Sequence, residues 1–341
     1  MSLDLPLIGV VVIAAAVLFY VLLDGFDLGV GILFPLARSD AERDVMMAAI
    51  APYWDGNETW LVLGGGGLFA AFPGAYAILM PAFYLPVMAM LLALILRGVA
   101  FEFRLHGRRR GKRGWTIAFV GGSVAAALAQ GLILGGFVQG VKVAGGAFSG
   151  QPFDWAGPYS LLTAVGVVAG YALLGATWLM LKTGDTLQSD ARRWALTAAI
   201  AVAVLLAAAS LATLAVDPRV AARWGLAGGS IQWAHLAPRL PIPVLGAAGL
   251  AMILVGIRAG AQRAPFLGAL VVFASGYLGL AASVFPAIVP YDVSFRAAAN
   301  TPGALGLLLA GVAILAPFIL GYTALVYWLF RGKVASGATY H

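Results

Sequence analysis

Nine long apolar segments, separated by short polar loops, constrain the fold of this chain more than any other feature of its sequence. An α-helix needs roughly 20 apolar residues to cross a bilayer, and each segment is close to that length or longer. With 62% hydrophobic and only 10% charged residues, the chain cannot bury its apolar surface inside one water-soluble globule. We therefore predict an all-α integral membrane protein with a single membrane domain, 1–341. Its nine predicted transmembrane helices cover 6–35, 54–75, 77–101, 115–140, 158–181, 194–216, 241–257, 265–289 and 304–330.

The basic residues predict the orientation of these helices. Of the 21 Lys and Arg residues, 15 fall in loops on one side of a nine-helix chain, 5 fall on the other side and Arg97 lies inside the third segment. Basic loops favour the cytoplasmic side of a membrane, which places the N-terminus in the periplasm and the C-terminus in the cytoplasm. The net charge of +7 is therefore expected to reflect topology rather than nucleic-acid binding. The densest basic loop, Arg108 to Arg113, also suits anionic lipid headgroups.

Four carboxylates lie close to the predicted cytoplasmic surface. Asp24 and Asp27 lie near the end of the first segment, and the pair Asp55 and Glu58 lies at the start of the second. The members of each pair are three residues apart and share one face of a helix. Carboxylates inside a membrane usually face a bundle interior or water and mark proton or ion paths. The alternatives are structural pairing for the first two and completion of a helix start at Pro52 for the second two.

Three further residues, two tryptophans and one arginine, each allow two interpretations. Trp54 and Trp60 suit either the aromatic belt of a membrane interface or packing around the carboxylates. Arg97, the only basic residue well inside an apolar segment, either extends toward the cytoplasmic surface or pairs with an acidic group. That group would be Glu102, a carboxylate of the first two segments or a propionate of a cofactor.

The chain lacks the ligands that usually hold a redox cofactor within a membrane. It has no cysteine, and its three histidines (His106, His235 and His341) lie outside the apolar segments. Haem in a membrane bundle generally needs axial His, Met or Cys ligands, and zinc sites need closely spaced His and Cys. We therefore predict that this chain binds no metal and carries no catalytic residue of its own.

A proton- or cation-coupled transporter is the leading function that these residues suggest by themselves, because it accounts for the membrane carboxylates. However, nine segments without a detectable inverted repeat are unusual for a transporter, and the segment interiors lack polar substrate-binding groups. A purely structural membrane scaffold is the other alternative.

Four motifs between residues 24 and 104 resemble a known family. They read DGFDLGVGIL (24–33), RSDAERDVMMAAIAPYWDGNETWLV (38–62), GGGGLFAAFPGAYA (64–77) and ALILRGVAFEFR (93–104). Together with SVFPAIVP (283–290), they resemble subunit II of the cytochrome bd-type quinol oxidases, which include the cyanide-insensitive oxidases. The match is dense over residues 20–104 and looser over the rest of the chain.

The resemblance implies a haem-free subunit of a bacterial inner-membrane complex that oxidises quinol on the outer side and reduces O2 to water without pumping protons. Subunit I would carry two b-type haems, a d-type haem and the quinol site. The implied fold is two four-helix bundles, 1–140 and 141–290, followed by a peripheral helix and tail, 291–341. A structural quinone in this subunit and small accessory single-helix subunits are further features that the resemblance allows.

The resemblance also implies roles for single residues. Asp55 matches the carboxylate proposed to take up cytoplasmic protons, whereas Asp24 and Asp27 match a pair whose role is structural or proton-related. Arg97 matches an arginine that faces the haem region across the subunit interface, and Glu58 falls at a variable position. The expected mechanism is therefore proton delivery by carboxyl groups to chemistry that takes place in another subunit.

Overall fold

The structure is a computed structural model that describes residues 3–106, 109–227 and 230–334, without the side chains of residues 105, 106, 109 and 110. Two residues named above, Arg108 and His341, lie outside the described residues. The described chain is mostly helical, with two short hairpins, in agreement with the prediction of an all-α membrane protein.

Fourteen α-helices and two 3-10 turns follow one another along the described residues. The helices are α1 (Leu5–Leu33), α2 (Asp40–Ala48), α3 (Trp54–Ala71), α4 (Pro73–Ala82), α5 (Tyr84–His106), α6 (Arg109–Gln139), α7 (Pro158–Lys182), α8 (Asp185–Val216), α9 (Pro218–Arg223), α10 (Trp233–Leu236), α11 (Pro241–Arg258), α12 (Ala264–Val284), α13 (Phe295–Ala298) and α14 (Pro302–Leu329). The 3-10 turns are Phe34–Leu36 and Ala237–Arg239. The two antiparallel hairpins pair β1 (Val143–Ala144) with β2 (Ala147–Phe148) and β3 (Ala287–Val289) with β4 (Val293–Ser294).

Eight helical segments within the described ranges are long and apolar enough to cross a membrane. They contain α1, α5, α6, α7, α8, α11, α12 and α14. The ninth predicted segment, 54–75, corresponds to α3, which is not among the eight. Its first two turns, WDGNETW, are polar and lower its mean hydropathy. The structure therefore shows eight candidate spans, while nine transmembrane helices and their orientation stay predictions.

Proline and polar residues explain where the helices depart from the predicted segments. The third predicted segment, 77–101, is interrupted at Phe83 between α4 and α5. Pro86 has no N–H to bond the carbonyl group of Ala82, so a continuous helix would lose a hydrogen bond there. The eighth segment ends early, at Val284, because the cyclic residue Pro286 follows. α8 begins at Asp185, before the predicted start at 194, because its polar first turns do not read as apolar.

α1 is the central helix of the described chain. It packs against α3, α6 and α7, and its last turns, from Asp24 to Gly31, are buried. Gly29 and Gly175 allow α1 and α7 to touch backbone to backbone, since a Cβ at Gly29 would lie 1.8 Å from the carbonyl oxygen of Tyr171. Small residues allow the same close approach in many membrane bundles. This crossing holds the polar residues at the end of α1 inside the protein.

The remaining helices pack mainly as sequential pairs. The extensive contacts are α5 with α6, α6 with α7, α7 with α8 and α11 with α12. α14 has one fully buried residue, Leu305, and touches α1 and α3 through partly buried positions. The division into two bundles at residues 140 and 290, with a peripheral last helix, stays a prediction.

Candidate functional site

A buried ion pair joins α1 to α5. The guanidinium Nη1 of Arg97 lies 2.8 Å from Oδ1 of Asp24, and the two side chains are 1% and 0% exposed. Arg97 therefore does not extend to the surface, and pairing with a carboxylate of the first segment is the interpretation that the structure supports. Because a buried charge without a partner is strongly destabilising, each residue of this pair depends on the other.

A second buried carboxylate, Asp27, is bound from α3. Nδ2 of Asn57 donates to Oδ2 of Asp27 at 2.7 Å and to the carbonyl oxygen of Leu23 at 3.3 Å. Oδ1 of Asn57 accepts a hydrogen bond of 3.0 Å from the hydroxyl of Tyr327 on α14. One amide side chain thus connects three helices, α1, α3 and α14.

Glu58 lies at the edge of the same group of residues. Its Oε2 is 4.0 Å from Nη1 of Arg97, and its side chain is 30% exposed. We refer to Asp24, Asp27, Asn57, Glu58 and Arg97 as the ionic cluster. In this cluster the guanidinium group pairs with two of the three carboxyl groups, those of Asp24 and Glu58. Carboxyl groups inside a membrane often mark proton paths.

Four buried polar atoms of the ionic cluster have no hydrogen-bond partner among the described residues. They are Oδ2 of Asp24, Oδ1 of Asp27, and Nε and Nη2 of Arg97. Buried polar atoms are nearly always bonded to protein or to ordered water. The ionic cluster is therefore suited to bind water directly beside its carboxyl groups.

A chain of hydrogen bonds joins α7 and α6 to Tyr20 of α1. The hydroxyl of Tyr171 donates to Oε1 of Gln130 at 2.5 Å, and Nε2 of Gln130 donates to the hydroxyl of Tyr20 at 2.7 Å. Tyr20 lies one turn before Asp24 on α1. These bonds hold α7, α6 and α1 together beside the ionic cluster.

A cleft of about 490 Å³ opens beside the ionic cluster, between the start of α3 and the C-terminal half of α14. We call it the α3–α14 cleft. Asp55 lies on its wall and is exposed, and Glu102 of α5 lines it as well. Asn57 and Tyr327 also line the cleft, and they are the two residues that connect α14 to Asp27. The cleft and the ionic cluster therefore share a wall.

The two predicted tryptophans pack around the site. The ring of Trp54 is half-buried, with its centroid 5.1 Å from that of Phe101 and 5.9 Å from the Arg97 guanidinium carbon. Trp60 is 6% exposed and packs 4.8 Å from Phe19 of α1, measured between ring centroids. In this chain the packing interpretation therefore fits Trp60 better than an exposed interfacial belt.

A buried lysine fastens the end of α14 beside the cleft. Nζ of Lys182 contacts the carbonyl oxygen of Phe330 and lies 2.7 Å from the hydroxyl of Tyr53. That hydroxyl donates to the same carbonyl oxygen at 2.7 Å. Burial raises the pKa of Tyr53, so its hydroxyl stays protonated and able to donate. In the sequence, Lys182 resembles an ordinary loop charge at the end of an apolar segment.

The structure brings four of the predicted residues together and separates one. Asp24, Asp27, Glu58 and Arg97 share the ionic cluster, whereas Asp55 lies on the exposed wall of the cleft. Within the described ranges, no three His, Cys, Asp or Glu side chains are placed to hold a metal ion. Sequence reasoning did not assign site roles to Tyr20, Asn57, Gln130, Tyr171, Lys182 and Tyr327.

Comparison with known proteins gives the family of the chain. The family model described as Cytochrome bd terminal oxidase subunit II matches residues 5–330, which is nearly the whole chain. The chain belongs to this family. The match confirms the resemblance carried by the four motifs, and it includes every residue of the ionic cluster and of the cleft. The wall between the α3–α14 cleft and the ionic cluster therefore lies within the part of the chain that matches the family model.

Two relatives and one solved structure extend this result. Cytochrome bd-I ubiquinol oxidase subunit 2 of Escherichia coli (strain K12) is 30% identical over 365 residues, covering 96% of this chain and 93% of the relative. Cytochrome bd ubiquinol oxidase subunit 2 of Bacillus subtilis (strain 168) is 31% identical over 340 residues, covering 95% of each. A chain in the structure of bd oxidase from Geobacillus thermodenitrificans matches with a TM-score of 0.75 and 12% identity, covering 96% of this chain and 98% of that one. At this low identity, the structural match supports the fold alone.

Proposed function

We propose that this chain is the haem-free subunit of a bd-type quinol:O2 oxidoreductase in a bacterial inner membrane. Its relatives are named as ubiquinol oxidase subunits, and we expect it to assemble with a haem-bearing subunit I. The observation that carries a proton-delivery role is the wall shared by the α3–α14 cleft and the ionic cluster. Asn57 belongs to both, and Tyr327 lines the cleft and donates a hydrogen bond to Asn57.

For the membrane topology we propose nine transmembrane helices, with α3 added to the eight candidate spans. α3 is 18 residues long and packs against α1, and its length falls in the range of roughly 17–25 residues for a spanning helix. With the basic loops in the cytoplasm, the N-terminus is periplasmic and the α3–α14 cleft opens on the cytoplasmic side. Two four-helix bundles, 1–140 and 141–290, and the peripheral α14 complete this arrangement.

In this assembly the chain supplies protons rather than electrons. Reduction of O2 to water consumes one proton for each electron, and we propose that these protons enter from the cytoplasm through the cleft. Asp55 takes them up at the exposed wall. The carboxyl groups of the ionic cluster pass them toward subunit I, because a carboxyl group beside water and an arginine can both accept and release a proton.

Electron transfer belongs to the partner in this proposal. Haems b and d and the quinol-oxidation site lie in subunit I, which agrees with the absence of histidine from the apolar segments of this sequence. A structural quinone in this chain and small accessory single-helix subunits are further proposals. Mass spectrometry of the purified complex and of its lipid extract tests both.

Purification from native membranes tests the oxidase assignment. We expect the chain to copurify with a larger subunit, and the dithionite-reduced complex to show the absorption bands of b and d haems. Quinol-dependent O2 consumption should accompany the same fractions. A colourless preparation of the chain alone that catalyses proton- or cation-coupled transport would overturn the assignment.

Asp55→Asn tests the proton-delivery role. The substitution keeps the size of the side chain and removes the proton-carrying group from the cleft wall. We expect O2 reduction to slow by about 100-fold, the low end of the effect of a positioned acid–base group, with haem content unchanged. Asp185→Asn is the matched control, since Asp185 is also exposed but begins α8 and does not line the cleft. Unchanged turnover of Asp55→Asn across the pH range would leave Asp55 only a helix-start role.

A further inference from the structure

We propose that Tyr327 on α14 is a positioning residue for proton delivery, because it controls the amide of Asn57 that bonds to Asp27. This inference rests on the proposed function. It gives α14, in which Leu305 is the one fully buried residue, a specific part in the proton route.

The hydrogen bonds around Asn57 fix the direction in which its amide faces. The hydroxyl of Tyr327 donates to Oδ1 of Asn57 at 3.0 Å, which leaves Nδ2 to donate to Asp27 at 2.7 Å. When Asp27 is ionised, its charge alone would favour this orientation. When Asp27 is protonated, its own O–H becomes a donor, and a free amide would rotate to accept from it. The hydroxyl of Tyr327 opposes that rotation, together with the carbonyl oxygen of Leu23, which accepts from Nδ2 at 3.3 Å.

The orientation of the Asn57 amide therefore affects whether Asp27 releases its proton or retains it. With Tyr327 in place, Asn57 stays a donor to Asp27 in both protonation states. The proton on Asp27 is then free to leave through water that binds at Oδ1, the oxygen with no partner among the described residues. Without the hydroxyl, the longer bond to the carbonyl oxygen of Leu23 is left to oppose the rotation, so Asn57 more often accepts from protonated Asp27 and retains the proton there.

The ring of Tyr327 is well anchored for this task. Its centroid lies 4.6 Å from that of Tyr53, 6.2 Å from that of Trp178 and 6.5 Å from that of Phe26. Phe330 follows Tyr327 by three residues, and Nζ of Lys182 contacts its carbonyl oxygen. Because the ring and the helix end are both fixed, the hydroxyl has little freedom to follow a rotation of Asn57.

The ionisable groups around Asp27 come from several helices, and none of them replaces the hydroxyl of Tyr327. Asp24 lies on α1, Glu58 on α3 and Arg97 on α5, and these three act on Asp27 through charge. Asn57 is the group that bonds directly to Asp27 from α3. Tyr327 acts through Asn57, so its removal should change how fast protons move without removing a charge from the cluster.

Tyr327→Phe in the purified oxidase complex tests the proposal. We expect kcat for quinol-dependent O2 reduction to fall roughly fivefold, the order expected from one neutral hydrogen bond. The KM for quinol and the haem content should stay unchanged, and the solvent deuterium isotope effect on kcat should increase. Tyr84→Phe is the control, since it removes one hydroxyl from an exposed side chain of α5 that does not line the cleft. It should leave every one of these quantities unchanged.

The double variant Tyr327→Phe/Asp27→Asn separates this inference from the proposed function. If Tyr327 acts through Asp27, the double variant should be no slower than Asp27→Asn alone. Effects that multiply, an unchanged kcat of Tyr327→Phe, or a slow Tyr327→Phe complex that has lost haem would each overturn the inference. If instead Asp55→Asn and Asp27→Asn complexes with full haem content both turn over normally, the proton-delivery function itself fails.

Discussion

Replacing Arg97 by methionine is expected to prevent a stable oxidase complex from accumulating. Arg97 is 1% exposed and is the cation for Asp24 at 2.8 Å and Glu58 at 4.0 Å. Methionine keeps part of the length but leaves these carboxyl groups without a counter-charge. Loss of one partner of a buried pair typically costs about 3–5 kcal/mol, a large part of the roughly 5–15 kcal/mol that stabilises a folded protein. Haem content of membranes and the thermal midpoint of any purified complex measure the effect.

Two companion variants distinguish loss of the pair from loss of any arginine. Arg113→Met makes the same chemical change at an exposed position of the basic loop and should leave assembly intact. Arg97→Met/Asp24→Asn removes both charges of the pair and should recover part of the lost stability, since the uncompensated charge is gone. A wild-type thermal midpoint for Arg97→Met would show that the pair contributes nothing to the folded complex.

Gly29→Ala is the second change for which we expect a large effect. A Cβ at this position would lie 1.8 Å from the carbonyl oxygen of Tyr171 and 2.8 Å from the backbone nitrogen of Gly175. No rotamer change relieves a clash with backbone, so α1 and α7 must move apart. We expect a loss of roughly 3 kcal/mol or more, at the upper end of overpacking effects. The thermal midpoint and the yield of assembled complex are the measurements.

A second glycine provides the control for this substitution. A Cβ at Gly65 of α3 would meet no atom within 4 Å. Gly65→Ala should therefore leave the complex intact, or stabilise it by about 0.5–1 kcal/mol through the better helix propensity of alanine. Equal stability of Gly29→Ala and Gly65→Ala would contradict the backbone contact between α1 and α7.

The sequence predicts the helices well where they are apolar and poorly where they are not. Length and hydropathy predict nine segments, and eight of them correspond to helices of the described residues that could cross a membrane, because a bilayer demands long uninterrupted helices. They do not find the first turns of α8, whose polar residues extend beyond the apolar run. They also miss the break at Phe83, where the effect of Pro86 is local and the flanking residues stay apolar.

The site divides in a similar way between what the sequence predicts and what only the structure reveals. Charged residues inside apolar segments are conspicuous, so Asp24, Asp27 and Arg97 can be identified without coordinates. Their pairing cannot, since Arg97 lies 73 residues from Asp24 in the chain and several acidic partners were possible. Tyr327 and Gln130 are harder still. A single tyrosine or glutamine in an apolar segment usually indicates packing, and only the folded chain shows that Tyr327 bonds to Asn57 and Gln130 to Tyr20.

The contact between Gly29 and Gly175 also limits how the protein can move around its carboxyl groups. No side chain separates α1 from α7 at this point, so neither helix can slide or rotate past the other without a clash between main chains. Rotation of side chains and exchange of water then remain as the motions available at this crossing. In the proposed function, protons would therefore move past α1 and α7 while these two helices keep their relative position.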